Sequence, residues 1–253
     1  MIPWFQLTTV HLGFLTVQVW GSWVALGMLV AFYLMYRRAR QQKISEEQLL
    51  DLAFWMIVGG IIGARLVHVL FYAPELYLAR PFDIIKIWEG GMSSMGGMLG
   101  GLLVFFAYVL KKKFKRKQWL QFTDIFAFAT LYGWIIGRIG CFFIHDHPGI
   151  RFNYFPAIAW PGGPRFDMAL LEIIGLLPLA IYFARTQKKL RKAGWYTVVF
   201  ALYYEGLRFL LDFLRARDVS EADTRYFGLT PAQYFGIVVA VVILVILLRK
   251  KAK

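Results

Sequence analysis

Cysteine is almost missing: Cys141 is the only one in 253 residues. A single thiol excludes an internal disulfide framework and a metal site built from several cysteines. Its expected state is that of a small buried hydrophobe. Acids are also scarce, with 15 Asp and Glu against 29 Lys and Arg, a formal charge of +14. Charged residues make up only 17% of the chain, against roughly 25% in a soluble domain. No nucleotide-binding motif, internal repeat, low-complexity tract or domain linker is visible. Met1–Trp20 lacks a basic leading region and a cleavage signal, so it is not expected to be a removable signal peptide.

What the chain has instead is apolar length. Hydrophobic residues account for 59% and aromatics for 18%, well above the roughly 45–50% apolar content of soluble domains. Runs close to the roughly 20 residues that a spanning helix needs occur at about 18–36, 52–72, 92–110, 122–143, 168–185, 194–211 and 231–248. The pattern predicts an all-α integral membrane protein of seven transmembrane helices, forming one polytopic domain and expected to act as a monomer.

The basic residues fall between these runs and on alternate sides. Clusters at Arg37–Lys43, Lys111–Lys117, Arg185–Lys192 and Arg249–Lys253 hold 19 of the 29 Lys and Arg. By the positive-inside rule these ends are cytoplasmic, which predicts an extracytoplasmic N-terminus and a cytoplasmic C-terminus. Charge arranged this way serves topology and anionic head groups, so nucleic acid is not an expected partner.

Three arginines lie inside the apolar runs: Arg65, Arg138 and Arg208. A guanidinium within a bilayer costs about 3 kcal/mol on insertion scales, so such residues face a bundle interior or wet cavity and find an anionic partner. Snorkelling or structural pairing is the plain alternative. With Tyr204, Asp212, Arg215, Asp167 and Glu172, they gather at the predicted outer ends of the runs. Tyr204, Arg208, Asp212 and Arg215, spaced by four, four and three, are expected to line one helical face. Such a cluster suits an anionic lipid head group, because guanidinium grips phosphate bidentately.

The most chemically loaded stretch is Gly133–Gly149, GWIIGRIGCFFIHDHPG. It carries Arg138 and ends in His145-Asp146-His147. On a turn with no third and fourth ligand identified, these two histidines make a poor four-ligand metal site. No metal and no cofactor are therefore expected. The glycine-rich stretch Gly90–Gly101, with Gly59, Gly60 and Gly63 in the preceding run, has two readings: close helix packing, or exposed backbone N–H groups for an anion. Pro148–Pro164 is expected to be an irregular aromatic loop at the outer interface.

Taken in order, these blocks resemble the bacterial prolipoprotein diacylglyceryl transferases over nearly the whole chain. The resemblance rests on Trp20-Gly21, on Gly63-Ala64-Arg65 with Val69-Leu70-Phe71-Tyr72, and on Trp88-Glu89-Gly90-Gly91-Met92-Ser93 followed by Gly96-Gly97. It continues through Gly137-Arg138-Ile139-Gly140, Leu170-Leu171-Glu172, Tyr204 with Arg208 and Arg215, and Leu229-Thr230-Pro231-Ala232-Gln233. Two departures stand out. Met95 takes the place of a family histidine, and Cys141 stands where asparagine is frequent.

The resemblance implies an inner-membrane enzyme working at the outer leaflet. It would take diacylglycerol from phosphatidylglycerol and attach it to the lipobox cysteine of an exported lipoprotein precursor. Arg138, Arg208 and Tyr204 are then expected in catalysis, with Arg65, Arg138, Arg208, Arg215, Gly96 and Gly97 binding the phospholipid. Glu172 and Trp20 would support them. With Met95 unable to move a proton, His145 or His147, oriented by Asp146, is the expected base; an imidazole of pKa near 6.5 suits that task. The alternatives are a relative of the same fold with another acceptor, and a seven-helix transporter or receptor. A transporter would carry its polar site near the midplane.

Overall fold

The computed structural model describes residues 1–13, 15–87, 90–189, 191–219 and 222–251. The expected apolar runs lie on helices α1 (Val19–Gln41), α2 (Glu46–Phe71), α4 (Ser94–Lys111), α5 (Arg116–Ile144), α6 (Met168–Thr186), α7 (Trp195–Leu211) and α8 (Pro231–Lys251). A short helix, α3 (Pro74–Ala79), and a 3₁₀ turn at Pro81–Ile85 lie between α2 and α4. Among the described residues, α1, α2, α5 and α6 are long and apolar enough to cross a membrane. Gly96–Lys111 and Pro231–Ile246 are shorter apolar stretches. The fold is thus that of a mostly helical membrane protein. Among the described residues two short antiparallel strand pairs accompany the helices: β1 (Thr9–Leu12) with β2 (Leu15–Gln18), and β3 (Pro148–Arg151) with β4 (Arg165–Asp167).

The chain forms two compact units, residues 35–122 and residues 1–34 with 123–253. In the first, α2 and α4 lie against each other along their glycines. A Cβ at Gly96 would overlap the Gly63 carbonyl, one at Gly100 the Gly59 carbonyl, and one at Gly59 the Val104 side chain. Small residues here let two backbones touch, which is how transmembrane helices associate without a hydrophobic driving force. The anion-binding reading of Gly96 and Gly97 is corrected accordingly. Gly97 packs against α2 at ordinary distance, and the Gly96 N–H donates to the Ser93 hydroxyl at 3.3 Å as a helix cap.

In the second unit the core joins α5, α6 and α7 through Phe128, Leu131, Leu176, Leu179, Phe183 and Tyr196. Gly27 on α1 meets the Gly133 carbonyl on α5 in another backbone-to-backbone contact. Buried Asp124 on α5 accepts from the N–H groups of Gly194 at 2.8 Å and Thr197 at 2.9 Å, capping α7 from outside its own sequence. Thr230 and Gln233 cap α8 reciprocally, at 2.9 and 3.2 Å, the capping-box arrangement that satisfies two orphan donors at once.

The segment 148–164 is not the wholly irregular interfacial loop expected. Beyond β3, Ile2 pairs with it through the Ala157 carbonyl and the Ala159 N–H, and Ile158 is fully buried. Tyr154 and Phe155 do remain 73% exposed. This backbone pairing needs the N-terminal segment, which no local pattern in 148–164 reveals.

Candidate functional site

The second unit brings a set of charges together around one buried carboxylate on α5, α6 and α7. Glu172 is only 1% exposed and receives four donors. Arg138 Nη2 lies 3.0 Å and Arg208 Nη1 3.5 Å from its Oε2, while Trp134 Nε1 donates at 2.6 Å and the Tyr204 hydroxyl at 3.3 Å to its Oε1. Trp134 precedes Arg138 by one helical turn, which also sets the guanidinium 5.2 Å from the indole ring. This tryptophan escaped the sequence reading, although i to i+4 spacing puts it on the same face of α5.

Neither guanidinium is saturated by these partners. Arg138 Nη1 approaches Cys141 Sγ at 3.7 Å, and its Nε is buried with no partner among the described residues. Arg208 Nε lies 3.2 Å from Asp212 Oδ1 without the alignment of a hydrogen bond. Asp212 is itself fixed by the Thr230 hydroxyl at 2.5 Å. A buried carboxylate between two arginines repays its desolvation only through such close pairing. It also holds the two cations side by side for a larger anion.

The expected continuous face of α7 does not extend as drawn. The α-helix stops at Leu211 and Asp212–Leu214 form a 3₁₀ turn. Arg215 is then in extended backbone, bridged to Gly149, with the Ala216 N–H donating to the Pro148 carbonyl at 3.1 Å. Arg215 pairs with Asp223. Next to them is a cavity of about 450 Å³, lined among others by Asp146, His147, Arg215 and Asp223.

The two histidines of the turn differ sharply. His145 is 3% exposed, with Nδ1 2.7 Å from Asp167 Oδ2, and it is stacked on Trp4 and ringed by Phe5, Phe142 and Trp160. The expectation that Asp146 orients it is corrected: Asp167, the N-cap of α6, does so. Asp146 lies 3.6 Å from His147 instead. Burial holds the His147 imidazole below its ordinary value, and Arg138, Arg215 and Arg208 push the same way against Asp146. The ring is therefore held neutral, which is the state that accepts a proton.

His145 also has a backbone role, since its φ of +51° is the left-handed turn that ends α5. That turn sends Asp146 and His147 back towards the last turn of the helix. Donor atoms of Cys141, Asp146 and His147 lie within 4.8 Å of one another. Trp20 is about half exposed, at 47%.

In the other unit Arg65 is used differently from the phosphate-binding role expected. Its Nε donates to the Ile84 carbonyl at 2.8 Å, Nη1 to those of Gly90 and Gly91 at 2.5 and 3.0 Å, and Nη2 to those of Asp83 and Lys86 at 2.5 and 3.2 Å. Guanidinium has five N–H donors, and all are spent on backbone. Trp88 and Glu89 lie outside the described residues, as does the side chain of Met95.

Residues 8–249 match the family model described as prolipoprotein diacylglyceryl transferase. The chain is similar to the phosphatidylglycerol--prolipoprotein diacylglyceryl transferase of Cupriavidus metallidurans, with 32% identity over 226 residues, covering 85% of this chain and 83% of the relative. The Cereibacter sphaeroides protein of the same name (strain ATCC 17029) is 34% identical over 223 residues, 78% of this chain and 75% of the relative. That of Tolumonas auensis is 32% identical over 215 residues, 81% of each. With the Arg138–Glu172–Arg208 cluster lying inside the matched stretch, the chain belongs to the prolipoprotein diacylglyceryl transferase family.

Proposed function

We propose that this protein transfers the diacylglyceryl group of phosphatidylglycerol to the lipobox cysteine thiol of an exported lipoprotein precursor, releasing glycerol phosphate. The observation that carries this reading is the convergence of Arg138 and Arg208 on one buried carboxylate, with donor capacity left over. Two guanidinium groups so held can grip a phosphodiester and neutralise the charge that grows on it as the carbon–oxygen bond breaks. Glu172 and Tyr204 set their orientation, and Arg215 lines a cavity together with Asp146 and His147.

The acceptor thiol must lose its proton near neutral pH, against an ordinary pKa of about 8.5. His147, which lines the cavity, is better placed for this than His145, whose ring is packed among aromatics. The charge asymmetry favours seven crossings in a single polytopic domain of the bacterial inner membrane, with the N-terminus and the site on the extracytoplasmic side. We take the working unit to be a monomer.

The test is to supply the gene to bacteria depleted of their own transferase. A lipobox substrate should gain a diacylglyceryl mass. Growth without that mass shift would point to a different acceptor.

A further inference from the structure

We propose that Cys141, Asp146 and His147 form a three-ligand site for a divalent ion of the zinc class, whose fourth position opens on the neighbouring cavity and takes the acceptor thiolate. This deepens the transferase reading and rests on it. The donors are a thiol, a carboxylate and an imidazole whose ligating atoms lie within 4.8 Å of one another. Around zinc, with bonds of about 2.0–2.3 Å, such atoms stand about 3.3–3.8 Å apart. The remaining contraction is within the reach of side-chain rotation on a fixed backbone.

The backbone is fixed on both sides of the cluster. The left-handed residue His145 folds the chain back, the His145 N–H donates to the Cys141 carbonyl at 2.8 Å, and Pro148 and Gly149 pair with Ala216 and Arg215. One donor, Arg138 Nη1, already reaches the sulfur of Cys141 at 3.7 Å. Outer N–H donors of this kind orient a metal-bound thiolate and stabilise its charge.

The surrounding arginines do not forbid a cation. Arg138 is paired with Glu172, Arg208 with Glu172 and Asp212, and Arg215 with Asp223, which sets three positive groups against three negative ones. A thiolate and a carboxylate would then balance the ion itself.

Three protein ligands and one open position are the pattern of catalytic rather than structural zinc, and a thiol that coordinates such an ion is deprotonated outright. The acceptor proton passes to water in the cavity. The bound sulfur attacks the diacylglyceryl carbon that carries the phosphate ester, the S–C bond forms and the C–O bond breaks. The electron pair leaves on the phosphate oxygen of glycerol phosphate. In this chain the cluster would perform the thiol activation that Met95 cannot, with His147 a ligand in place of the free base described above.

The test uses the full-length protein in detergent, stripped of metal and titrated with Co²⁺. We expect tetrahedral d–d bands and a sulfur-to-cobalt charge-transfer band that Cys141→Ser abolishes. Asp146→Asn and His147→Gln should weaken Co²⁺ binding at least about tenfold, the smaller loss found even for outer-shell partners. Absence of the charge-transfer band in the unmodified protein, or its survival in Cys141→Ser, overturns the site. In a transfer assay with phosphatidylglycerol vesicles and a lipobox peptide, chelation should suppress turnover and Zn²⁺ restore it. Full turnover after chelation overturns the thiol-activating role and leaves His147 as a simple base. Failure of transfer in every metal state would instead refute the transferase reading, because the Co²⁺ titration involves no substrate.

Discussion

Arg65 and Arg138 show how the same residue type, buried in an apolar helix, is put to opposite uses. Arg65 gives all five donors to backbone carbonyls of residues 83–91 and stacks 5.0 Å from Tyr77, so it works as a staple for the segment that follows α2. Arg138 faces a carboxylate shared with Arg208 and keeps Nε without a partner among the described residues. A saturated guanidinium stabilises structure, whereas an unsaturated one beside a counter-ion is a charge waiting for a ligand. Donor accounting is what separates the two.

The sharpest way to break this contrast is to remove the charges in turn. Arg138→Ala and Arg208→Ala should each lower kcat/KM by about 100-fold or more, the scale of losing one preorganised donor to developing charge. Arg→Lys at either position should also be impaired, because lysine keeps the charge and loses the planar fork. Lysine variants with full activity in the vesicle assay would refute bidentate gripping.

Arg65→Ala should behave in the other way. Hydrogen bonds to a charged group contribute about 1.5–3 kcal/mol each, so losing five of them should lower the thermal midpoint by many degrees. KM for phosphatidylglycerol in the folded fraction should stay close to that of the parent. A raised KM with unchanged midpoint would return Arg65 to the phosphate site.

A smaller effect tests the glycines of the same unit. Gly96→Ala places a Cβ against the Gly63 backbone and should destabilise α2–α4 packing, while Gly97→Ala meets only ordinary contacts at 3.5 and 3.6 Å and should be tolerated. Thermal midpoints of the two variants in detergent would decide. Equal tolerance of both would argue against packing as the reason for the glycines.

The mildest perturbation concerns the clamp on the outer hairpin. Arg165 holds Asp218 bidentately at 2.7 and 2.5 Å, and this lowers the Asp218 carboxyl to about 2. A carboxylate whose folded pKa lies below its unfolded value of about 3.9 contributes stability that is present above that value and lost as pH falls through the folded pKa. Protection of amides in residues 148–167, corrected for the intrinsic pH dependence of exchange, should therefore be flat above about pH 4 and fall towards pH 2. The pair is exposed on the Asp218 side, so high salt should shrink the effect.

The sequence by itself determined the membrane class, the places of the long helices, the family, and the co-occurrence of Arg138, Glu172, Tyr204 and Arg208. Each follows from composition, from period and length, or from short blocks in order, and these survive in one dimension. Only the tertiary structure decided which arginine is spent and which is open, because that depends on where backbone carbonyls some 20 residues away come to lie. It likewise separated His145, enclosed by Trp4 and Trp160, from His147 at a cavity, though the two are neighbours in sequence. Cys141 is buried and free, as its sequence suggested, but the approach of Asp146 and His147 to it depends on a left-handed turn at a non-glycine residue, a conformation that no side-chain pattern announces.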